Sequence, residues 1–138
     1  MKQISSRFSV AVHMLSLIAY DSNACTGDYI AGSVNTNPVI IRKLMGMLKK
    51  ACLVGVRPGV GGAYLLKSAD QITLLDVYRA VEVIEDGRLF HFHDHPNPDC
   101  PVGRNIETAL RSEMLEAQTA MERSLAQVTI SQLTAKFQ

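Results

Sequence analysis

The apolar residues of this chain recur every three or four positions over several stretches, and that spacing predicts helices. The first predicted helix has apolar positions from Phe8 to Ala19 and ends in the polar stretch that starts at Asp21. It is apolar on almost every side, so it is either deeply buried or packed on a second chain. Two shorter helices are predicted between residues 26 and 52, and another over 73–81. A long helix is predicted over 102–127.

The pattern changes after residue 53. Residues 54–57 and 63–66 are short strand-like runs, and the glycine-rich stretch between them is a strong turn signal. Asn35 lies between the two short helices, where a turn needs a residue that tolerates a positive φ. We therefore expect a mainly α fold with a small β-hairpin (α+β): a winged helix-turn-helix followed by a long C-terminal helix.

Length and composition limit the class of protein. The chain has 138 residues, of which 47% are hydrophobic and 20% charged, as expected for one globular domain. No apolar run approaches the ~20 residues of a membrane span, and the N-terminus has no apolar segment typical of a signal peptide. We expect a cytoplasmic protein without membrane contact. Its three cysteines are not closely spaced, which favours neither a disulfide framework nor a zinc finger.

The formal net charge of +1 hides an uneven distribution. Residues 29–69 carry six basic and no acidic side chains, whereas residues 70–138 carry six basic and eleven acidic ones. A cationic block in an otherwise acidic chain indicates a polyanionic partner. The alternative is chance clustering on a solvated face.

The second helix of a helix-turn-helix enters the major groove of DNA. If its apolar stripe faces the core, the outward residues are Val39, Ile40, Lys43, Met47 and Lys50. Val39 and Ile40 suit thymine methyl groups, and the lysines suit phosphate or guanine. The alternative is that Val39 and Ile40 pack on the first helix. Candidate phosphate contacts nearby are Ser5, Arg7 and the amides beside Asn37.

The hairpin carries its own signal for DNA. An arginine, Arg57, at the tip of a thin hairpin suits a narrow minor groove. Gly59 and Gly61 allow the backbone to approach the duplex closely. A phosphate-binding glycine loop of a nucleotide enzyme would need a helix after the glycines. Residues 63–66 are strand-like instead, so this alternative is disfavoured.

Residues 51–54 and the run Arg-Pro-Gly-Val-Gly-Gly-Ala-Tyr-Leu-Leu at 57–66 resemble the signature of the Rrf2 family of bacterial transcription regulators, the group of IscR, NsrR and CymR. The N-terminal helix and residues 129–133 resemble that family too, so the resemblance covers nearly the whole chain. It implies a homodimer, held by the long helix and bound to an imperfect palindrome in double-stranded DNA.

The resemblance also assigns residues by position. The base-reading helix is matched by Asn37, Val39, Ile40 and Lys43, and the wing arginine by Arg57. The family often has an aromatic residue at Ile40 and a small polar residue near Val39. We therefore expect a different sequence preference here.

The match breaks in the loop before the long helix. Members that bind an iron–sulfur cluster carry three cysteines there, and this chain has Cys100 alone. We therefore expect no iron–sulfur cluster and no cofactor. Cys100 precedes Pro101 at the start of the long helix, where unpaired N–H groups favour a thiolate. This indicates a thiol sensor, with Cys25 as its resolving partner and Cys52 inert among apolar residues. The alternative is that Cys100 only caps or packs.

A metal site is a second interpretation of the same loop. His91, His93 and His95 alternate, so they share one face of an extended segment. With Cys100 they offer donors that suit zinc, copper or iron. The alternative is a solvated histidine loop.

The leading hypothesis is a dimeric DNA-binding repressor, not an enzyme, that responds to redox or electrophile stress. Its expected parts are a winged domain (1–84), a sensor loop (85–103) and a dimerisation helix with the C-terminal segment (104–138). The expected dimer contacts are Ile106, Leu110, Met114, Met121 and Leu125. Alternatives are a regulator that responds to a metal, to a small molecule or to no effector, a small metalloenzyme, and a winged helix that binds protein instead of DNA.

Overall fold

The computed structural model describes residues 6–21, 26–58, 61–82, 90 and 92–137. Along these residues lie helices and one antiparallel hairpin, which confirms the mainly α fold with a small wing. The elements are α1 (Ser6–Tyr20), α2 (Gly27–Val34), α3 (Pro38–Lys50), β1 (Val54–Val56), β2 (Ala63–Leu65), α4 (Leu74–Val81), α5 (Pro101–Leu125) and α6 (Ile130–Thr134).

The chain divides into two compact units. One contains the residues up to Glu82 together with those from Leu125 onward, and the other runs from 83 to 124. The sequence had grouped the C-terminal segment with the long helix (104–138). In the structure this segment belongs to the first unit, because two backbone hydrogen bonds join it to that unit. The Leu74 N–H donates to the Val128 carbonyl at 2.8 Å, and the Ile130 N–H donates to the Ile72 carbonyl at 2.9 Å.

The turn between α2 and α3 depends on Asn35. Its φ of 61° and ψ of 51° lie in the left-handed region, which asparagine tolerates better than most residues. The Ala31 carbonyl accepts hydrogen bonds from the N–H groups of Asn35 at 2.8 Å and Thr36 at 3.2 Å. These bonds end α2 and redirect the chain into α3, as the sequence predicted.

Helix α3 begins directly after Asn37, which caps it. The Asn37 side chain accepts a hydrogen bond from the Val39 N–H at 2.8 Å, and Pro38 occupies the first helical position. Ile41, Leu44 and Leu48 are buried. They join a single core cluster built mainly around α1, whose buried apolar side chains are Ala11, Met14, Leu15 and Ile18.

The wing is a two-stranded hairpin. Its three pairs are Val54 with Leu65, Gly55 with Tyr64, and Val56 with Ala63. The Arg57 N–H donates to the Gly62 carbonyl at 3.0 Å and closes the base of the loop. Gly61 and Gly62 have φ values of 78° and 92°, which the tight return requires.

The environment of Cys52 differs from the sequence prediction. Cys52 is exposed and has a φ of 62°, so the expectation that it sits among apolar residues was wrong. It occupies the turn between α3 and β1, where the left-handed backbone turns its side chain away from the core. Separately, none of the described helices combines the length and apolarity needed to cross a bilayer.

Candidate nucleic-acid interface

The outward face of α3 exposes two aliphatic side chains at its start. Val39 is 61% and Ile40 42% exposed, because burying Ile41 and Leu44 turns these neighbours away from the core. The alternative that they pack on α1 is therefore not what the fold adopts. Met47, which the sequence also placed outward, is half-buried against the core.

Exposed cations lie on the same helix as this aliphatic pair. Arg42, Lys43, Lys49 and Lys50 are all exposed on α3. Arg42 was not among the predicted contacts, although its place beside Lys43 in the charge block was the available signal. Within the described part of the chain, no ion pair involves the lysines of α3. Their charge is thus available to a partner.

Of the predicted phosphate contacts near the helix starts, the structure places two. The Asn37 side chain is occupied in capping α3. The group offered to a ligand is therefore the start of the helix with its backbone amides. Arg7 lies against the carboxylate of Glu82, with an N–O distance of 3.8 Å, which partly neutralises its charge. Ser5 lies outside the described residues.

Arg57 lies at the base of the wing loop, directly after β1, so the expectation that it stands at the hairpin tip was wrong. The Arg57 guanidinium carbon lies 5.5 Å from the centre of the Tyr64 ring, a cation–π contact. Gly61 is described and half-buried, and Gly59 lies outside the described residues. Tyr64 was not a predicted site residue. Finding it required the strand register, which sets Tyr64 opposite Gly55, two residues before Arg57, and which the sequence alone did not supply.

The second unit builds a local environment for Cys100. The Asn97 carbonyl accepts a hydrogen bond from the Cys100 N–H at 3.2 Å. A Cβ on Gly103 would lie 2.6 Å from that carbonyl oxygen, so glycine allows the loop to approach the first turn of α5. Residue 103 therefore fixes how closely the loop follows the start of α5.

The Cys100 thiol is exposed and polarised by the helix start. Hydrogen bonds from the backbone N–H groups of Gly103 and then Val102 hold the pKa of this thiol below its usual value. Thiolates, not thiols, are the reactive form. Cys25, the predicted resolving partner, lies outside the described residues.

The predicted histidine site is only partly described. His93 and His95 are exposed, and His95 has a φ of 55°. His91 lies outside the described residues. Among those that are described, no group of three His, Cys, Asp or Glu side chains is placed to hold a metal ion.

The predicted dimer contacts lie along α5. Ile106, Leu110, Met114, Met121 and Leu125 are half-buried in the single chain. Val102 and Leu115, which are 69% and 62% exposed, add apolar surface that the sequence had not singled out. The signal for Leu115 was weak because it stands outside the main apolar stripe.

These features are those of a winged helix-turn-helix regulator. The model of the Rrf2 family, described as an iron-dependent transcriptional regulator, matches residues 4–136. The chain therefore belongs to the Rrf2 family and is a transcriptional regulator, of a family that binds DNA, and not an enzyme.

Individual relatives agree with this placement. The chain is 49% identical over 123 residues to YwnA of Bacillus subtilis (strain 168), a protein assigned as an HTH-type transcriptional regulator, with 89% of this chain and 90% of YwnA covered. A crystal structure of a protein assigned as DNA-binding matches at 42% identity and a TM-score of 0.76, over 93% of this chain and 98% of that one. CymR (YrzC), the global cysteine regulator of B. subtilis, shares the fold at 20% identity and a TM-score of 0.73, with both chains fully covered at 100%.

The family description raises the question of iron. Cys100 is the one cysteine between residues 83 and 124, and it is exposed. A cluster needs several thiolates or imidazoles converging on it. The described donors do not converge, so the residues that the structure describes do not fit such a group.

Proposed function

We propose that this chain is a cytoplasmic homodimeric repressor that binds a palindromic operator, one half-site per winged domain, and is switched by oxidation of Cys100. The observation that carries the DNA contact is the exposed Val39–Ile40 pair at the start of α3, a helix whose four cationic side chains are also exposed. Aliphatic side chains left in water at that position gain apolar contact with thymine methyl groups in a major groove.

The charges support the same surface. Lys43 and Lys50 lie on the exposed side of α3, and Arg57 is the only charged residue between 51 and 66. The lysines reach phosphate or guanine edges, and Arg57 enters the adjacent minor groove, whose negative potential attracts arginine. Asn37 contributes through the amides at the start of α3.

The first test is the effect of Arg57→Ala on binding to DNA from upstream of the protein's own gene. Loss of a groove contact is expected to weaken binding by at least about 1 kcal/mol, roughly fivefold in Kd. Fluorescence anisotropy measures this directly. Arg79→Ala, which removes the same charge from an exposed position on α4, is the matched control and should bind like the wild type. Equal affinity of the Arg57→Ala and Arg79→Ala variants would remove Arg57 from the DNA surface.

The proposed homodimer interface lies along α5. Its 25 residues extend about 37 Å at 1.5 Å per residue. Val102 and Leu115 are apolar and exposed on it, and a helix with unpaired apolar surface gains free energy by covering it. The half-buried stripe that includes Leu110 and Met121 offers further contact. A second copy of α5 supplies a matching apolar surface in a two-fold dimer.

Leu110→Glu or Met121→Glu is expected to convert the dimer to a monomer, because a carboxylate in an apolar interface is left without a partner. Analytical ultracentrifugation gives the mass. Thr108→Glu adds the same charge at an exposed polar position of α5 and serves as the control. A folded Leu110→Glu protein that still sediments as a dimer would show that the interface lies elsewhere.

The switch is assigned to Cys100 because its thiol is both exposed and polarised by the N–H groups of Gly103 and Val102. A lowered pKa means that the thiolate fraction rises at lower pH than for a free cysteine, whose pKa is about 8.5. The rate of oxidation at Cys100 therefore rises with pH and reaches half its maximum at a lower pH than for an unperturbed thiol.

The switch is tested by comparing DNA affinity before and after a mild thiol oxidant. We expect the oxidant to change the affinity of the wild type but not of Cys100→Ser. Cys52→Ser is the matched control because Cys52 is also exposed, and it should respond like the wild type. Cys25→Ser shows whether a second thiol resolves the oxidised one. An unchanged wild-type affinity, or a response retained by Cys100→Ser, would contradict the assignment.

A further inference from the structure

The wing contains one charged and one aromatic side chain, and they touch. Between residues 51 and 66 the charged residue is Arg57 and the aromatic one is Tyr64. The Arg57 guanidinium carbon lies 5.5 Å from the centre of the Tyr64 ring. A guanidinium over an aromatic face is held by charge–quadrupole attraction and stacking. The ring therefore limits the directions in which the Arg57 side chain points.

The strand register explains how the ring reaches Arg57. Tyr64 stands directly opposite Gly55, and side chains two positions apart on a strand point to the same face. Arg57 follows Gly55 by two residues, immediately after β1. The ring thus crosses the face of the hairpin toward the arginine, with Gly55 beneath it.

The Tyr64 ring fits on this face because residue 55 is a glycine. A Cβ at residue 55 would lie 2.6 Å from the Tyr64 Cζ atom, 2.7 Å from its hydroxyl oxygen and 3.0 Å from Cε2. Any larger residue at 55 therefore has to displace the ring. The main chain of Arg57 is fixed as well, because its N–H donates to the Gly62 carbonyl at 3.0 Å and its carbonyl accepts from the Gly61 N–H at 3.2 Å. The backbone is thus held on both sides, and the Tyr64 ring is one of the groups that contact the side chain.

We propose that Tyr64 is a positioning residue for DNA recognition: its ring, seated on Gly55, holds the Arg57 guanidinium ready for the minor groove. This inference rests on the proposed DNA contact of Arg57. Holding the arginine in place before binding reduces the entropy lost when the wing docks on the duplex. Tyr64 acts through Arg57 and not through its own contact with DNA.

The test is a double-mutant cycle on binding to the same upstream duplex, measured by fluorescence anisotropy. Tyr64→Leu is expected to weaken binding about two- to fivefold, the equivalent of an exposed cation–π contact. Tyr64→Phe keeps the ring and is expected to bind like the wild type. Gly55→Ala is expected to weaken binding as Tyr64→Leu does. In an Arg57→Ala background, Tyr64→Leu is expected to have no further effect.

Leu65→Ala separates positioning from a general weakening of the hairpin. Leu65 is the next residue of β2, half-buried against the core on the opposite face. Its loss is expected to add to that of Arg57→Ala without coupling. Urea denaturation of each variant checks that the domain remains folded at the assay temperature.

The possible outcomes distinguish the positioning role of Tyr64 from the DNA contact of Arg57. Additive losses for Tyr64→Leu and Arg57→Ala, or weak binding by Tyr64→Phe, would overturn the positioning role while the DNA contact of Arg57 stands. An Arg57→Ala variant that binds like the wild type would overturn the contact and the positioning role together. Absence of wild-type binding to any duplex would overturn the proposed function itself.

Discussion

Burial of Ile41, Leu44 and Leu48 fixes the rotation of α3 about its axis, and the proposed DNA surface depends on that rotation. Each fully buried aliphatic side chain contributes about 1.5–3 kcal/mol. Turning α3 to bury Val39 and Ile40 instead would expose three such side chains to cover two. The core therefore holds the aliphatic pair in water, together with the cations of the same helix.

The turn and the wing place this surface relative to its neighbours. Asn35 ends α2 in the left-handed region and directs the chain into α3. On the other side, the hairpin carries Arg57 on a backbone closed by hydrogen bonds to Gly61 and Gly62, with the Tyr64 ring against its side chain. Short-range geometry thus determines where each proposed contact points.

Most of the first unit was predictable because its signals are local. Asn35, the Asn37 cap with Pro38, and the glycine-rich turn each specify a backbone conformation within a few residues. The outward position of Val39 and Ile40 followed from helical spacing alone, and the family assignment followed from the wing motif.

What the sequence missed depends on contacts between distant residues. The pairing of Arg7 with Glu82, and the return of residues 125–138 to the first unit, join segments far apart in the chain. The left-handed turn at Cys52 exposes a thiol whose neighbours in sequence are apolar. The Tyr64–Arg57 contact required the strand register, which a hairpin prediction without paired residues does not supply.

In the proposed function, α3 and the wing bind DNA through its phosphates and grooves. The most direct measurement is the affinity of the wild-type protein for its own upstream duplex at 50 and 200 mM salt. With about six phosphates neutralised per dimer, release of counterions predicts a loss on the order of a thousandfold between these conditions. Affinity that does not change with salt, or no binding at the lower concentration, would contradict it.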